Sequence, residues 1–230
     1  MEFPDRLIPA RFVARPNRFT ALVDRGGCEI AAHLPNTGRL SEILVPGRSV
    51  YLAPAKNPHR KTAFTLVLAD MVTTLVSVDS VAANALAYEH LSRRAFAPFS
   101  AYGAIRREVG LSGGRYDLVL TQEGLADLIV EVKGVNLVRD GCALFPDAPT
   151  ARGTRHLAGL SEARVGGFRA AILFVVMRSD ARSFSPNEGT DPRFSAALRG
   201  ACKRGVEAYA FVSRVTEKGV GIIGEIPIVW

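Results

Sequence analysis

Three residues in one stretch carry the chemistry of this chain: Asp117 in the run RYDLVLT, and Glu131 and Lys133 in LIVEVKG. Both runs are rich in Val, Leu and Ile and predict strands packed into a core. A charge in such a strand is costly unless it is paired or holds a metal. Side chains two apart on a strand point the same way, so Glu131 and Lys133 share a face while Val130 and Val132 take the other. Asp117 is expected to share its face with Val119 and not with Leu118 or Leu120. If the two runs pair, Asp117 and Glu131 converge with Lys133 beside them. Glu108, closing AIRRE, is a further candidate. Neighbouring carboxylates repel unless a cation lies between them. Mg²⁺ takes one or two carboxylates plus waters and phosphates, and the Val132 carbonyl is an added ligand candidate. Such a metal acidifies a bound water and steadies charge on a phosphate, with Lys133 to orient the water. The set suits phosphodiester hydrolysis. The competing reading is a solvated Glu-x-Lys pair on an edge strand, worth under about 1 kcal/mol.

These residues need strands to hold them. The first third reads as short strands: ARFVAR, RFTALVD, CEIAAHL, VPGRSVYLAP, and up to two in TAFTLVLADMVTTLVSVDS. Gly26-Gly27 and Pro46-Gly47 supply turns. Such a series predicts a small all-β barrel, with an OB-like barrel as one candidate, a form that often binds single-stranded nucleic acid. The rhythm changes at VAANALAYEHLSRR, a helix that Asn84 is expected to cap. The domain division is placed there, giving residues 1–84 and 85–230. Beyond it, AIRREV and RYDLVLT read as strands joined by a turn at Gly113-Gly114, and LADLIVEVKGVNLV as one long strand. TARGTRHLAGLSEARVGG reads as a helix capped by Thr150 or Asp147 and ended by Gly166-Gly167. RAAILFVVMR has the continuous apolar character of a central strand. DPRFSAALRGACKRG is a second helix, VEAYAFVSRV a strand, and GVGIIGEIPIVW the closing edge. Strands alternating with helices predict an α/β C-terminal domain.

The net charge of +7 favours an anionic partner, nucleic acid first. Cys28, Cys142 and Cys202 form no CxxC pair, which argues against a zinc ribbon and suits a reducing cytosol. The start of the chain shows no basic segment followed by an apolar one, and the longest apolar run, AAILFVVM, is too short to span a bilayer. A cytoplasmic protein with no membrane partner is the expectation. GLSGG lacks the Lys-Ser/Thr of a phosphate-binding loop.

Asp117 followed by Glu131-Val132-Lys133 resembles the PD-(D/E)xK nuclease core of restriction and repair enzymes. RPNRF, HLPNTGRL, FPDAPTARGTRHL and FSP occur in that order, as in the sugar fermentation stimulation protein A family. The likeness spans nearly the whole chain. It implies an N-terminal OB-like barrel and a restriction-endonuclease-like mixed sheet flanked by helices. It also implies DNA binding, with RNA not excluded, Mg²⁺ or Mn²⁺ as cofactor, and a homodimer as one arrangement. By the same resemblance Asp117, Glu131 and Glu108 look like metal ligands and Lys133 like the catalytic lysine. Tyr116 stands where the motif usually has Pro. Three functions follow: a metal-dependent DNA nuclease, a non-cleaving DNA-binding regulator of sugar-metabolism genes, or a nuclease acting on RNA or a nucleotide.

Further residues carry two readings each. Thr150, Arg152 and His156 either grip a phosphate near the metal or form a cap and an exposed helix face, Arg152 and His156 being four apart. Phe145-Pro146-Asp147 is a rigid loop beside the site or a turn. His33, Asn36 and Thr37 contact nucleic acid or fill structural roles. Arg15, Arg18, Arg60 and Lys61, with His59, bind phosphates or form solvated loops. Phe12 and Phe19 are expected in the barrel core, with base stacking by them or Tyr51 the other reading. Trp230 docks on the sheet or supports a dimer contact.

Overall fold

The computed structural model describes residues 1–3, 6–55, 57, 59–111 and 114–230. The N-terminal domain contains β1 (Ile8–Asn17), β2 (Thr20–Arg25), β3 (Cys28–His33), β4 (Ser49–Pro54), β5 (Phe64–Asp70) and β6 (Leu75–Ser77). Their order is β3-β2-β1-β4-β5-β6, and β3 also pairs with β5 through Ala32↔Phe64 and His33↔Thr65. That last pairing closes β1 to β5 into a five-stranded OB barrel and removes its open edges. The two-residue period is visible in the core: Ala21 and Val23, then Val50 and Leu52, are fully buried. Gly26 and Gly27, with φ of 65° and 87°, make the tight turn between β2 and β3.

Helix α1 (Ser80–Ser92) follows at once. Its cap is Asp79, whose carboxylate accepts from Val81 N at 2.8 Å. Asn84 is therefore not the cap; it lies inside the helix, and a division between 84 and 85 falls within α1. The helix starts early because Ser80 is anchored to the barrel. Its N and Oγ both donate to Pro35 O, at 3.0 and 2.6 Å.

The remaining elements are a 3-10 turn at Ala97–Phe99, β7 (Ala104–Leu111), β8 (Gly114–Thr121), β9 (Leu128–Val135), β10 (Leu137–Arg139), β11 (Cys142–Phe145), α2 (Ala151–Val165), β12 (Arg169–Val176), β13 (Ser183–Pro186), α3 (Pro192–Lys203), β14 (Glu207–Thr216) and β15 (Gly219–Ile226). The expected turn at Gly113-Gly114 involves Gly113, which lies outside the described residues. The main sheet runs β15-β14-β12-β9-β8-β7, with β12 parallel to both β9 and β14 and the outer pairs antiparallel. Seven of the eight β12 residues are buried, as a strand covered on both faces requires. Helix α1 covers one face through Ala83 and Leu86, against Leu118, Val130 and Val132. Helices α2 and α3 cover the other through Leu157, Leu160 and Leu198, against Ile129, Ile172 and Phe174. The C-terminal domain is thus an α/β, restriction-endonuclease-like mixed sheet flanked by helices.

The single long strand expected through LADLIVEVKGVNLV is broken at Asn136. That side chain donates to Ser77 O at 2.5 Å and accepts from Asn36 Nδ2 at 3.2 Å, and Arg178 holds its carbonyl at 3.3 Å. The chain then enters a small sheet, β10-β11-β13. These bonds also tie barrel to sheet, together with Leu40 N to Asp147 Oδ2 at 3.2 Å and Ser77 N to Met177 O at 2.9 Å. Asp147 is thereby spent on the barrel. Thr150 caps α2, its Oγ1 accepting from Gly153 N at 3.0 Å, and Gly166 ends the helix.

Candidate active site

The β8–β9 ladder stops at Leu118↔Val130. One residue further, a side chain replaces backbone pairing: Asp117 Oδ2 accepts from Val132 N at 2.8 Å, and Oδ1 accepts from Asn84 Nδ2 at 2.8 Å. Asp117 therefore reaches toward α1 instead of sharing the face of Val119. The cause is a break in the pleat. Tyr116 packs with the α2 side and Leu118 with the α1 side, although regular strand residues two apart would share a face. Beside the break, Glu108 has φ +54° between the pairs Arg107↔Leu118 and Val109↔Tyr116.

Glu131 lies on the α2 face of β9, opposite Val130 and Val132 as the alternation requires, and is only 2% exposed. Its Oε1 takes hydrogen bonds from Lys133 Nζ and from His156 Nδ1. Arg152 Nε donates to His156 Nε2 at 3.2 Å, which assigns the proton of a neutral ring to Nδ1 and aims it at Glu131. Two polar helix residues one turn apart thus orient a strand carboxylate. Burial works against the Glu131 charge, but the His156 hydrogen bond and the Lys133 charge outweigh it, and its pKa is lowered. Asp117 behaves oppositely. Burial, then the Glu131 charge, push its carboxyl up, and the Val132 amide, Lys133 and Asn84 only partly offset this.

Among the described residues, no group of three or more His, Cys, Asp or Glu side chains converges as a metal cage. What the site offers is two carboxylates that feel each other's charge, with the Val132 peptide beside them. An all-oxygen set of this size fits a hard divalent ion that keeps several waters; it does not fit a closed zinc site. Glu131 Oε2 is the oxygen left over once Oε1 is taken.

A cavity of about 750 Å³ lies between the barrel and the C-terminal domain. Val132 and Lys133 line it from β9, and Thr150 and Arg152 from the start of α2. Arg15, Arg18, Asn36 and Thr37 line it from the barrel. Expected residues from the barrel and from the second domain therefore share one cleft, though in different roles. Arg15 is structural: its two terminal nitrogens donate to the carbonyls of Gly38, Arg39, Arg18 and Asn36 at 2.5 to 2.9 Å. Asn36 is buried and bonded to Val78 O, at 3.0 Å. Arg18, Thr37 and Arg152 are exposed.

Other expected residues stand apart. Glu108 is exposed and ion-paired with Arg115, and among the described residues it completes no three-membered acidic cluster with Asp117 and Glu131. Its positive φ and exposed edge strand turn it outward. His33 sits on the barrel wall, its ring stacked on Phe19 at 6.5 Å. Arg60 donates to Thr65 and Thr62 at 3.1 and 3.3 Å, and Lys61 is exposed; neither lines the cleft. Phe12 is in the core at 3% exposure, but Phe19 is 52% exposed and outside it. Trp230 is half-exposed, although Val229 N docks on Phe184 O at 2.8 Å. Asn84, expected as a helix cap, instead donates to Asp117, and Arg39, which carried no expectation, lines the cleft. Asp79, placed just before the helical run, was the signal that Asn84 is not a cap.

Residues 81–219 match the family model described as the sugar fermentation stimulation protein RE domain, and residues 13–78 the one described as the SfsA N-terminal OB domain. A sugar fermentation stimulation protein homolog of Moorella thermoacetica is 44% identical over 99% of each chain. One of Desulforamulus reducens is 43% identical over 96% of this chain and 92% of its own. The solved structure of Pyrococcus furiosus SfsA in complex with Ca²⁺ superposes with a TM-score of 0.91 at 28% identity, covering 100% of this chain and 98% of that one. No helix among the described residues is long and apolar enough to cross a membrane. The chain belongs to the sugar fermentation stimulation protein family.

Proposed function

We propose that this protein is a divalent-metal-dependent nuclease that binds DNA in the interdomain cleft and hydrolyses phosphodiester bonds. The observation that supports the reading is that Asp117, held at the Val132 amide, feels the charge of Glu131, while Lys133, bonded to Glu131, lines the interdomain cleft. Asp117, Glu131 and the Val132 carbonyl would hold Mg²⁺ or Mn²⁺, and the Ca²⁺ of the Pyrococcus relative is an ion of the same oxygen-seeking kind. Glu108, ion-paired with Arg115, is left out of the proposed ligand set. When bound, the metal acidifies a water and offsets charge on the phosphate. Lys133 faces the cleft with its stem buried, so its ammonium can stabilise the non-bridging oxygens as charge builds there. The water oxygen bonds to phosphorus, the bond to the leaving sugar oxygen breaks, and that oxygen takes up a proton. His156, oriented by Arg152, would keep Glu131 ionised and fixed together with Lys133. Arg18 and Thr37, exposed in the same cleft, would contact flanking phosphates.

One observation favours a second reading. Both Asp117 oxygens are already satisfied by Val132 and Asn84. A non-cleaving DNA-binding regulator, in which Asp117 merely ends the ladder, would be built the same way. Incubation of single-stranded and duplex DNA and RNA with Mg²⁺, Mn²⁺ or EDTA separates the two. Metal-dependent cutting that disappears in Lys133→Ala and Glu131→Gln, with binding retained, is the expected result. Salt-dependent DNA binding without any cutting would leave the regulator standing and remove the nuclease.

A further inference from the structure

We infer that Phe19 and His33 form a base-stacking platform for single-stranded nucleic acid on the outer wall of the barrel, from which the strand runs into the interdomain cleft. Phe19 is 52% exposed, while the other expected core phenylalanine of this region, Phe12, is 3% exposed. An isolated exposed aromatic residue is ordinary. Phe19 is not isolated. Its ring lies 6.5 Å from that of His33 with only 19° between the planes, so the two form a near-parallel pair on which a further flat ring can stack against the exposed Phe19. The backbone holds it firmly: Phe19 N donates to Asn17 Oδ1 at 2.9 Å, and Leu34 N to Phe19 O at 2.9 Å. Little ordering entropy would then be lost when a base stacks.

The surroundings select the occupant. Asn17 and Arg18, immediately before Phe19, line the cleft that holds Lys133 and Arg152. On the other side of His33, Pro35 is bonded to Ser80, which also lines that cleft. Across the sheet His33 pairs with Thr65, and Thr65 accepts from Arg60. An aromatic step thus stands between a cationic cleft and an arginine, on a chain of net charge +7. A polyanion with exposed bases meets both features. A duplex, whose bases are already stacked on each other, meets only the charge. The inference deepens the proposed function and rests on it for the direction in which the strand runs.

The test measures binding without cutting. Fluorescence anisotropy in EDTA at fixed salt compares a labelled single-stranded oligodeoxynucleotide, its ribo counterpart and the matching duplex. Phe19→Ala should weaken single-strand binding about tenfold and duplex binding less than about twofold, while Phe19→Tyr keeps the affinity. In a Trp230→Phe background, Phe19→Trp should lose emission on adding single strand. A tenfold loss on either the ribo or the deoxy strand supports the platform. An unchanged single-strand affinity in Phe19→Ala, an equal loss on duplex, or no single-strand binding by the native protein overturns it. Because no cleavage is read, a failed nuclease assay leaves this result intact and counts only against the proposed function.

Discussion

Asn84 donates from the second turn of α1 to Asp117 Oδ1 at 2.8 Å, so the helix that begins at the barrel is bolted to the candidate metal ligand. The same helix is anchored at its first residue by Ser80 to the barrel loop at Pro35. Barrel position and Asp117 position are consequently linked through one rigid element. This explains how an OB domain could influence chemistry in a neighbouring sheet while contributing no carboxylate to it.

Asn84→Ala removes the one side-chain hydrogen-bond donor to Asp117 among the described residues. The carboxyl, already pushed up by burial and by Glu131, should ionise less readily. Calorimetric titration with Mn²⁺ at neutral pH should show affinity reduced severalfold, and the metal-free fold should lose about 1–3 kcal/mol. An affinity equal to the native one would mean that Asp117 does not depend on α1.

His156 acts through Glu131. His156→Ala takes away the donor that holds Glu131 ionised despite burial, so the Glu131 pKa should rise and metal-dependent cleavage should fall about tenfold or more. The acid limb of the rate–pH profile should move to higher pH in the variant. His156→Gln, which can still donate, should recover part of the loss. A profile that keeps its acid limb in His156→Ala would reduce His156 to a packing residue.

Much of this site was legible because alternation along a strand is a strong local rule. Glu131 and Lys133 are where two-residue periodicity puts them, and the burial of β12 follows from its unbroken apolar run. Asp117 was legible as a member of the cluster and illegible in direction. Its orientation depends on a pleat break set by the neighbouring strand, where Glu108 adopts a positive φ. Glu108 itself could not be excluded by type or spacing; only its pairing with Arg115 removes it. Arg15 teaches the same limit from the opposite side. An arginine beside Pro-Asn reads as a phosphate ligand, yet the fold spends it on four backbone carbonyls. Long-range hydrogen bonds of this kind, like those that end β9 at Asn136, leave no periodic trace.

Glu207 and Arg169 offer a pH test outside the site. Arg169 Nε and one terminal nitrogen donate to the two Glu207 oxygens at 2.6 and 2.8 Å, and the guanidinium also lies over Phe99. Burial opposes the Glu207 charge, but Arg169 prevails and the pKa is lowered. A lowered carboxyl pKa adds stability above its unfolded value that is lost as pH falls through the folded one. Glu207→Gln should therefore cost about 1–2 kcal/mol at pH 7, and the gap to the native protein should close when unfolding is followed below about pH 4. A gap that stays constant from neutral to acid pH would show that the pair contributes shape and no charge.

Arg15 and Arg18 are three residues apart on the same cleft wall and should fail differently. Arg18 is exposed, so Arg18→Ala should leave stability nearly unchanged and lower the slope of log affinity against log salt by about 0.7 for single-stranded DNA, the share of one released counterion. Arg15 holds the loop at Asn36, Gly38 and Arg39. Arg15→Lys keeps the positive charge but cannot reach four carbonyls with three donors, so it should cost about 2–3 kcal/mol of stability. Its salt slope should stay native wherever the protein remains folded. Unfolding curves and binding isotherms at four or more salt concentrations read both quantities on the same samples. If Arg15→Lys is as stable as the native protein and shows the shallower slope, Arg15 contacts phosphate and the loop is held by something else.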